Sequence, residues 1–456
     1  MWYSIHWRKM ECLVYKLLKR CGHMDTVDKN KFDSREYKRS RVMYIAQSTF
    51  EYFVTILAGD VFLAKLLTHM GISDAMIGII SSLVNVAFLF QLLTMVLNVN
   101  PRKHKSVTIL GQMISMAMYA SLFMLPFLPV SDGAKPFVVM GVMLTAQISI
   151  QLVSPYLFRW ANSFVSPRRR GRFSAVREIV SLVSGIIFTL TAGAIVDHFE
   201  GLDNIRGAFL FIAISILVIA VLNFISLSYI KRDFEVKEDK GEKVPFGDIM
   251  KNTFGNKSFR NVIIMTTLVS ISRYFSLGFI ATFKTVDLLY SVTAIQVINM
   301  VANAGRILVS VPFGKYSDKT SFADGLRLGY ILESVGLLAL VFTTNSTRWG
   351  IIVYSIFYNM SFAGTNQNSF NITYSYVDQK YFVYAMAIKT AISGSLGFST
   401  ALVAGKILSY IQANGNVFMG IPMYGQQFLS FVSLIIMIVN ILFIHFVIKK
   451  QEIRIQ

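Results

Sequence analysis

Apolar runs of about twenty residues recur along this chain, each long enough to cross a bilayer at about 1.5 Å per residue. Backbone in lipid must satisfy its own hydrogen bonds, so runs of this length read as helices. The pattern predicts spans near 42–68, 76–98, 106–128, 136–160, 177–199 and 206–230. A polar stretch rich in Lys, Glu, Asp and Gly follows, from Lys231 to Arg260. Six more spans come near 261–288, 293–316, 325–344, 349–374, 384–410 and 427–448. The expected fold is an all-α membrane protein of twelve transmembrane helices in two pseudo-symmetric six-helix bundles. Its parts are a basic N-terminal segment (1–41), a first bundle (42–230), a linker (231–260), a second bundle (261–448) and a tail (449–456).

Composition agrees. Of 456 residues, 54% are hydrophobic and 15% charged, where a soluble domain carries about 25% charged residues. The net charge of +19 could suggest nucleic acid, but Lys and Arg cluster in short loops beside apolar runs, and a soluble basic domain is missing. With both ends inside, 36 of the 44 Lys and Arg fall on the inner side. The outer loops hold six: Lys65, Lys135, Arg206, Lys284, Arg348 and Lys406. That asymmetry predicts a multi-pass protein of the cytoplasmic membrane with both termini in the cytoplasm.

Residues 1–41 hold eleven Lys or Arg against five Asp or Glu, too many charges for a signal peptide. Leu13, Val14, Leu17 and Leu18 beside Lys16, Lys19 and Arg20 could form a surface helix, although a basic tail that supports topology is the preferred reading. Cys12 and Cys21 give no disulfide framework. Together with His23 they fit no standard zinc spacing, so neither metal nor cofactor is expected.

The two halves repeat. A shift of 218 carries Leu110-Gly111 onto Leu328-Gly329 and Asn85 onto Asn303. A shift of 219 carries Gly59 onto Gly278 and Lys65 onto Lys284. A shift of 212 carries Arg177 onto Lys389, Gly185 onto Gly397 and Ala192-Gly193 onto Ala404-Gly405. Six helices, a polar linker and six helices is the plan of two repeats around a midplane site.

Two loops carry a family resemblance. Gly314-Lys315-Tyr316-Ser317-Asp318-Lys319, with Arg327, resembles the loop signature between the second and third helices of a half in the major facilitator superfamily. Pro167 to Phe173, including Arg170, Gly171 and Arg172, with Arg177 beyond, is similar to the loop before that superfamily's fifth helix. The resemblance covers 42–448. The chain departs from it in one respect: the first-half loop has Val96 and Asn100, with Arg102, Lys103 and Lys105, so the Asp stands only in the second half. The resemblance implies that Asp318 and its basic neighbours gate the transporter. Plain anchoring of helix ends is the alternative.

Charges inside spans cost at least about 2.5 kcal/mol each on the insertion scale and by default mark function or a pair. Glu51 belongs to a helical stripe of Tyr44, Gln47, Glu51 and Thr55. Arg273 and Tyr274 belong to another, with Thr266 and Ser270. The fourth span shows Gln147, Gln151 and Ser154, and the tenth shows Ser355, Asn359 and Asn366. In the resembling family, helices one, four, seven and ten line the central cavity, which makes these residues candidates for substrate or ion contact. Interhelical glue is the alternative, favoured for the single Gln and Asn residues. Arg306 and Glu333 lie at similar depth in adjacent spans and are expected to form a structural ion pair. Asp60 is expected to make a surface or loop contact.

No Gly-x4-Gly-Lys-Ser/Thr motif provides an ATP motor. No His-Glu-x-x-His occurs, so an intramembrane zinc protease is disfavoured and no enzyme is expected. What remains is secondary transport by alternating access, moving a small solute with H+ or Na+. The amide-rich lining suits a sugar or glycoside. An exporter of amphipathic drugs and a non-transporting sensor are the alternatives.

Overall fold

The computed structural model describes residues 34–93, 103–165, 170–231, 246–377 and 382–452. Among these, nine helical spans are long and apolar enough to cross a membrane. Three more helical segments complete the twelve. Arg35–Leu57 with Asp60–His69 forms the first span, Phe322–Val341 the ninth and Gly350–Tyr376 the tenth. These three are the polar ones: the ninth alone holds Asp324, Arg327 and Glu333. Polar side chains start several spans by accepting orphan backbone N–H groups. Ser34, Asn204, Asn256, Ser291 and Ser321 do so for the first, sixth, seventh, eighth and ninth.

One buried cluster belongs mainly to the first half, with Phe62, Phe123 and Phe209, and takes in Ala281, Val292 and Ile295 of the second. Another runs from Phe259 to Ile448, with Phe283, Tyr330 and Tyr354. Outward faces carry Phe137, Ile187 and Leu308, all largely exposed, as lipid-facing positions require. The chain ends share one end of the molecule. There Lys231 after the sixth span pairs with Glu36 at the start of the first. Glu452 after the twelfth accepts hydrogen bonds from Phe322 and Ala323 at the start of the ninth.

The halves meet at the opposite end. Asp197, late in the fifth span, accepts from the backbone N–H of Val292 and Thr293 at the start of the eighth, at 3.1 and 2.9 Å. Gln412 donates to Asp74 at 2.9 Å, joining the eleventh and second spans. Gly78 and Gly278 let the second and seventh spans touch: a Cβ on Gly278 would lie 2.6 Å from the Gly78 carbonyl oxygen.

Several features differ from the sequence reading. The first span is broken at Ala58–Gly59, and Asp60 begins its second part at φ +40. The seventh ends in a π-turn, Phe283–Asp287. The linker contains a short helix, Phe246–Gly255, whose few apolar residues are too short a run to signal a span. A hairpin joins the last two spans, pairing Val417 with Pro422 and Phe418 with Ile421. Its two-residue turn, Met419 and Gly420, has φ of +52 and +80, the handedness such turns need. The surface helix expected around Leu13 to Arg20, and the Cys12, Cys21 and His23 group, lie outside the described residues.

Candidate functional site

A cavity of about 540 Å³ lies between the halves. Tyr44, Gln47, Ser48, Glu51, Tyr52 and Thr55 line it from the first span, and Arg177, Glu178 and Ser181 from the fifth. Asn303 and Arg306 of the eighth span and Asn359 of the tenth supply the other half's wall. A smaller cavity of about 260 Å³ continues it away from the termini, sharing Tyr52, Thr55, Asn303 and Asn359 and reaching Asp60. At 1.5 Å per residue, Arg177 lies about 10 Å inside the start of its helix at Arg170, so the larger cavity reaches well toward the termini end.

Tyr44, Gln47, Glu51 and Thr55 of the first span line the same cavity, because spacing of three and four residues aligns side chains on one face. Glu51 accepts from Gln47 Nε2 at 2.6 Å and from Gln112 Nε2 at 3.3 Å. Gln112 Oε1 accepts in turn from Asn223 Nδ2 at 2.7 Å and Gln47 Nε2 at 3.2 Å. Among the described residues, two buried acceptors in this network, Gln47 Oε1 and Asn223 Oδ1, have no donor. Among the described residues no cation pairs directly with Glu51; Arg177 acts on it at longer range.

The second half fills the equivalent place differently. Arg273 forks onto Glu333, with Nε to Oε1 at 2.8 Å and Nη2 to Oε2 at 2.7 Å. Ser361 adds a hydrogen bond to Glu333 at 3.3 Å, and the guanidinium lies 4.5 Å from the Phe362 ring centre. Glu333 is 1% exposed. Glu51 to Arg273 is a step of 222 residues and Gln112 to Glu333 a step of 221, close to the repeat offsets. Each half therefore ties its first helix to its third through a buried polar pair.

This corrects the expected pairing of Arg306 with Glu333. The seventh and ninth spans pack within one half and bring Arg273 to Glu333. Arg306 instead faces the other half, where its Nη2 meets Glu178 Oε1 at 2.9 Å. Arg273, expected in the cavity, is occupied by the internal pair. Asp60, expected at the surface, lines the smaller cavity because the helix break turns it inward.

Other candidates divide. Thr55 and Asn359 line both cavities. Gln147 and Gln151 are half-buried on the fourth span outside the lining, while Ser154 is within it. Asn366 is exposed beyond the lining. Tyr274 packs on Gly397. Gly314, Asp318 and Lys319 are exposed, and the two charges have no partner among the described residues. The ionic network at that end belongs to Asp324, which holds Lys449 at 3.0 Å and Arg327 at 3.4 Å. Arg177 donates to the Tyr44 hydroxyl at 3.1 Å. Arg170, Gly171 and Arg172 start the fifth helix, with side chains outside the described set. Sequence reasoning missed Gln112, Asn223, Glu178 and Asn303 as site residues. The repeat offset carrying Gln112 onto Glu333 was a signal for the first of them.

The sequence matches the profile of the Major Facilitator Superfamily over residues 43–402. No curated protein sequence matches it. Among solved structures it is similar to the nucleoside transporter NupG, at 11% identity and TM-score 0.66, covering 90% of this chain and 98% of that one. An auto-inhibited POT family peptide transporter is similar at 12% identity and TM-score 0.66, covering 92% and 98%. A bacterial homologue of the human lysosomal transporter Spinster, in an inward-facing and unoccupied conformation, is similar at 13% identity and TM-score 0.63, covering 92% and 97%.

Proposed function

The chain belongs to the Major Facilitator Superfamily of membrane transporters, and we propose that it carries a small polar solute across the cytoplasmic membrane by proton-coupled alternating access. The two halves, 42–230 and 261–448, rock about the shared cavity, with both termini in the cytoplasm. The contacts of Asp197, Asp74 and Gly78 close the end away from the termini, which with cytoplasmic termini supports an inward-facing state.

The observation that carries this reading is Glu51 beside an orphan acceptor. As a carboxylate it receives the Gln47 and Gln112 amides. As an acid it needs an acceptor for its own proton, and a turned Gln47 amide offers the buried oxygen that now lacks a donor. The same two side chains therefore serve both charge states, the requirement for a residue that loads and unloads a proton during the cycle. The lining of Gln, Ser, Thr, Asn and Tyr supports a hydroxylated solute of the sugar or glycoside kind over a greasy one.

A thermal-shift screen of the purified protein against sugars, glycosides, nucleosides, peptides and amphipathic drugs, at varied pH and sodium, tests this. Ligand at about 100 times its Kd adds about 2.7 kcal/mol of stability. A polar solute should raise Tm, more so at acidic pH and irrespective of sodium. Stabilisation by amphipathic drugs alone would replace the reading with an exporter, and a strict sodium requirement would replace the proton.

A further inference from the structure

Among the described residues, Arg177 is the charge in the larger cavity's wall that has no ion-pair partner. Its guanidinium has the Tyr44 hydroxyl at 3.1 Å and the Tyr44 ring at 5.7 Å, both uncharged partners. The other wall charges are accounted for. Arg306 and Glu178 pair with each other. Glu51 is held by amides and influences Arg177 only at a distance. Asp60 lies sixteen residues beyond Tyr44, roughly 24 Å along the helix direction at 1.5 Å per residue, too far to compensate it. With Glu178 paired to Arg306, the acid in the larger cavity left to balance Arg177 is Glu51, the residue proposed to take the proton.

We propose that Arg177 is the docking point for an anionic group on the transported solute, a carboxylate or a phosphate-type oxyanion. This deepens the reading above and rests on it. A planar guanidinium with free N–H groups matches such an oxyanion in a two-pronged fashion. Charge balance gives the coupling its sense. When Glu51 is ionised, the wall's two acids and two cations within the larger cavity cancel. When Glu51 carries a proton, Arg177 is left uncompensated, and an anion restores neutrality. Proton and anion therefore enter together, and the loaded cavity is as neutral as the empty one when it turns over. The solute so defined is an acidic, hydroxyl-bearing molecule of the sugar-acid type.

The charge preference of the cavity can be read without knowing the solute. The protein, with Cys12→Ser and Cys21→Ser, receives Ser48→Cys in the cavity wall and is placed in phosphatidylcholine liposomes, so that no anionic headgroup competes. Rates of thiol modification are compared for an anionic sulfonatoethyl, a cationic trimethylammonioethyl and a neutral methyl methanethiosulfonate, each normalised to its rate with free cysteine. The anionic reagent should react fastest, with a lead that grows as pH falls. Arg177→Gln should cut the anionic-to-cationic ratio by more than about tenfold, since one charge some 4 Å away in even a water-like dielectric acts on the two reagents with opposite signs, and Arg177→Lys should retain it. An unchanged neutral rate shows that the variant keeps its cavity. Equal rates for both charged reagents, or a ratio that Arg177→Gln leaves alone, would overturn the anion site while leaving the transporter reading intact. Failure of even the neutral reagent to reach position 48 from either side would remove the cavity, and both readings with it.

Discussion

Arg306 of the eighth span reaches across the interface between the halves to Glu178 of the fifth, its Nη2 2.9 Å from Oε1. If the halves rock as proposed, this contact breaks once per cycle, and its strength sets part of the balance between states. Both side chains are partly solvated, which keeps the pair's worth at roughly 0.5–1 kcal/mol. Glu178→Gln should therefore shift the ratio of inward-facing to outward-facing molecules by about two- to fivefold, measured by spin-label distances across each end. Glu178→Gln with Arg306→Gln should shift it no further than the stronger single change. Additive shifts would mean that the two residues act through different partners.

Gly278 meets Gly78 so closely that an added Cβ would sit 2.6 Å from a carbonyl oxygen, well inside van der Waals contact. Gly278→Val should prise the second and seventh spans apart at the end away from the termini. Engineered cysteines at positions 74 and 412 should cross-link readily in the parent and poorly in the variant. Cross-linking that survives the substitution would show that this glycine pair does not hold the end closed.

Arg273 and Glu333 form a buried ion pair, and neither lines the larger cavity. Glu333→Gln leaves a buried guanidinium without its carboxylate, a change that typically costs about 3–5 kcal/mol. Tm should fall steeply, and Arg273→Met with Glu333→Leu should recover much of the loss by replacing the pair with apolar packing. If Glu333→Gln instead keeps its Tm and loses only transport, the pair belongs to the transport machinery.

The proposed inward location of both termini rests on the distribution of Lys and Arg. A cysteine at Lys135 should react with an impermeant thiol reagent added outside intact cells, and one at Lys237 should not, in a background without Cys12 and Cys21. The reverse pattern would invert the orientation.

The twelve spans and their order were readable because each apolar run announces itself locally. The first-span stripe was readable for the same reason: Gln47, Glu51 and Thr55 need only helical spacing to share a face. What the sequence could not specify was which charges meet. Arg273, Arg306 and Glu333 all lie at similar depth, and depth alone favoured the wrong pair. The choice depends on how the seventh and ninth spans rotate within one half while the eighth faces the other, a tertiary fact. Gln112 and Asn223 sit among apolar neighbours and look like incidental glue until the packing brings them to Glu51. The break at Ala58–Gly59, which turns Asp60 into the smaller cavity, leaves only a glycine as its mark in the chain.

If Glu51 carries the coupling proton, abolishing its titration uncouples transport from the pH gradient. Glu51→Gln keeps the side chain's size and its hydrogen bonding but cannot titrate. Reconstituted in liposomes with a solute that binds in the thermal-shift screen, the variant should lose accumulation driven by an imposed pH gradient while still exchanging labelled for unlabelled solute at close to the parent rate. Glu51→Gln liposomes that accumulate solute against its gradient as well as the parent does would contradict the account and leave Glu51 a structural residue.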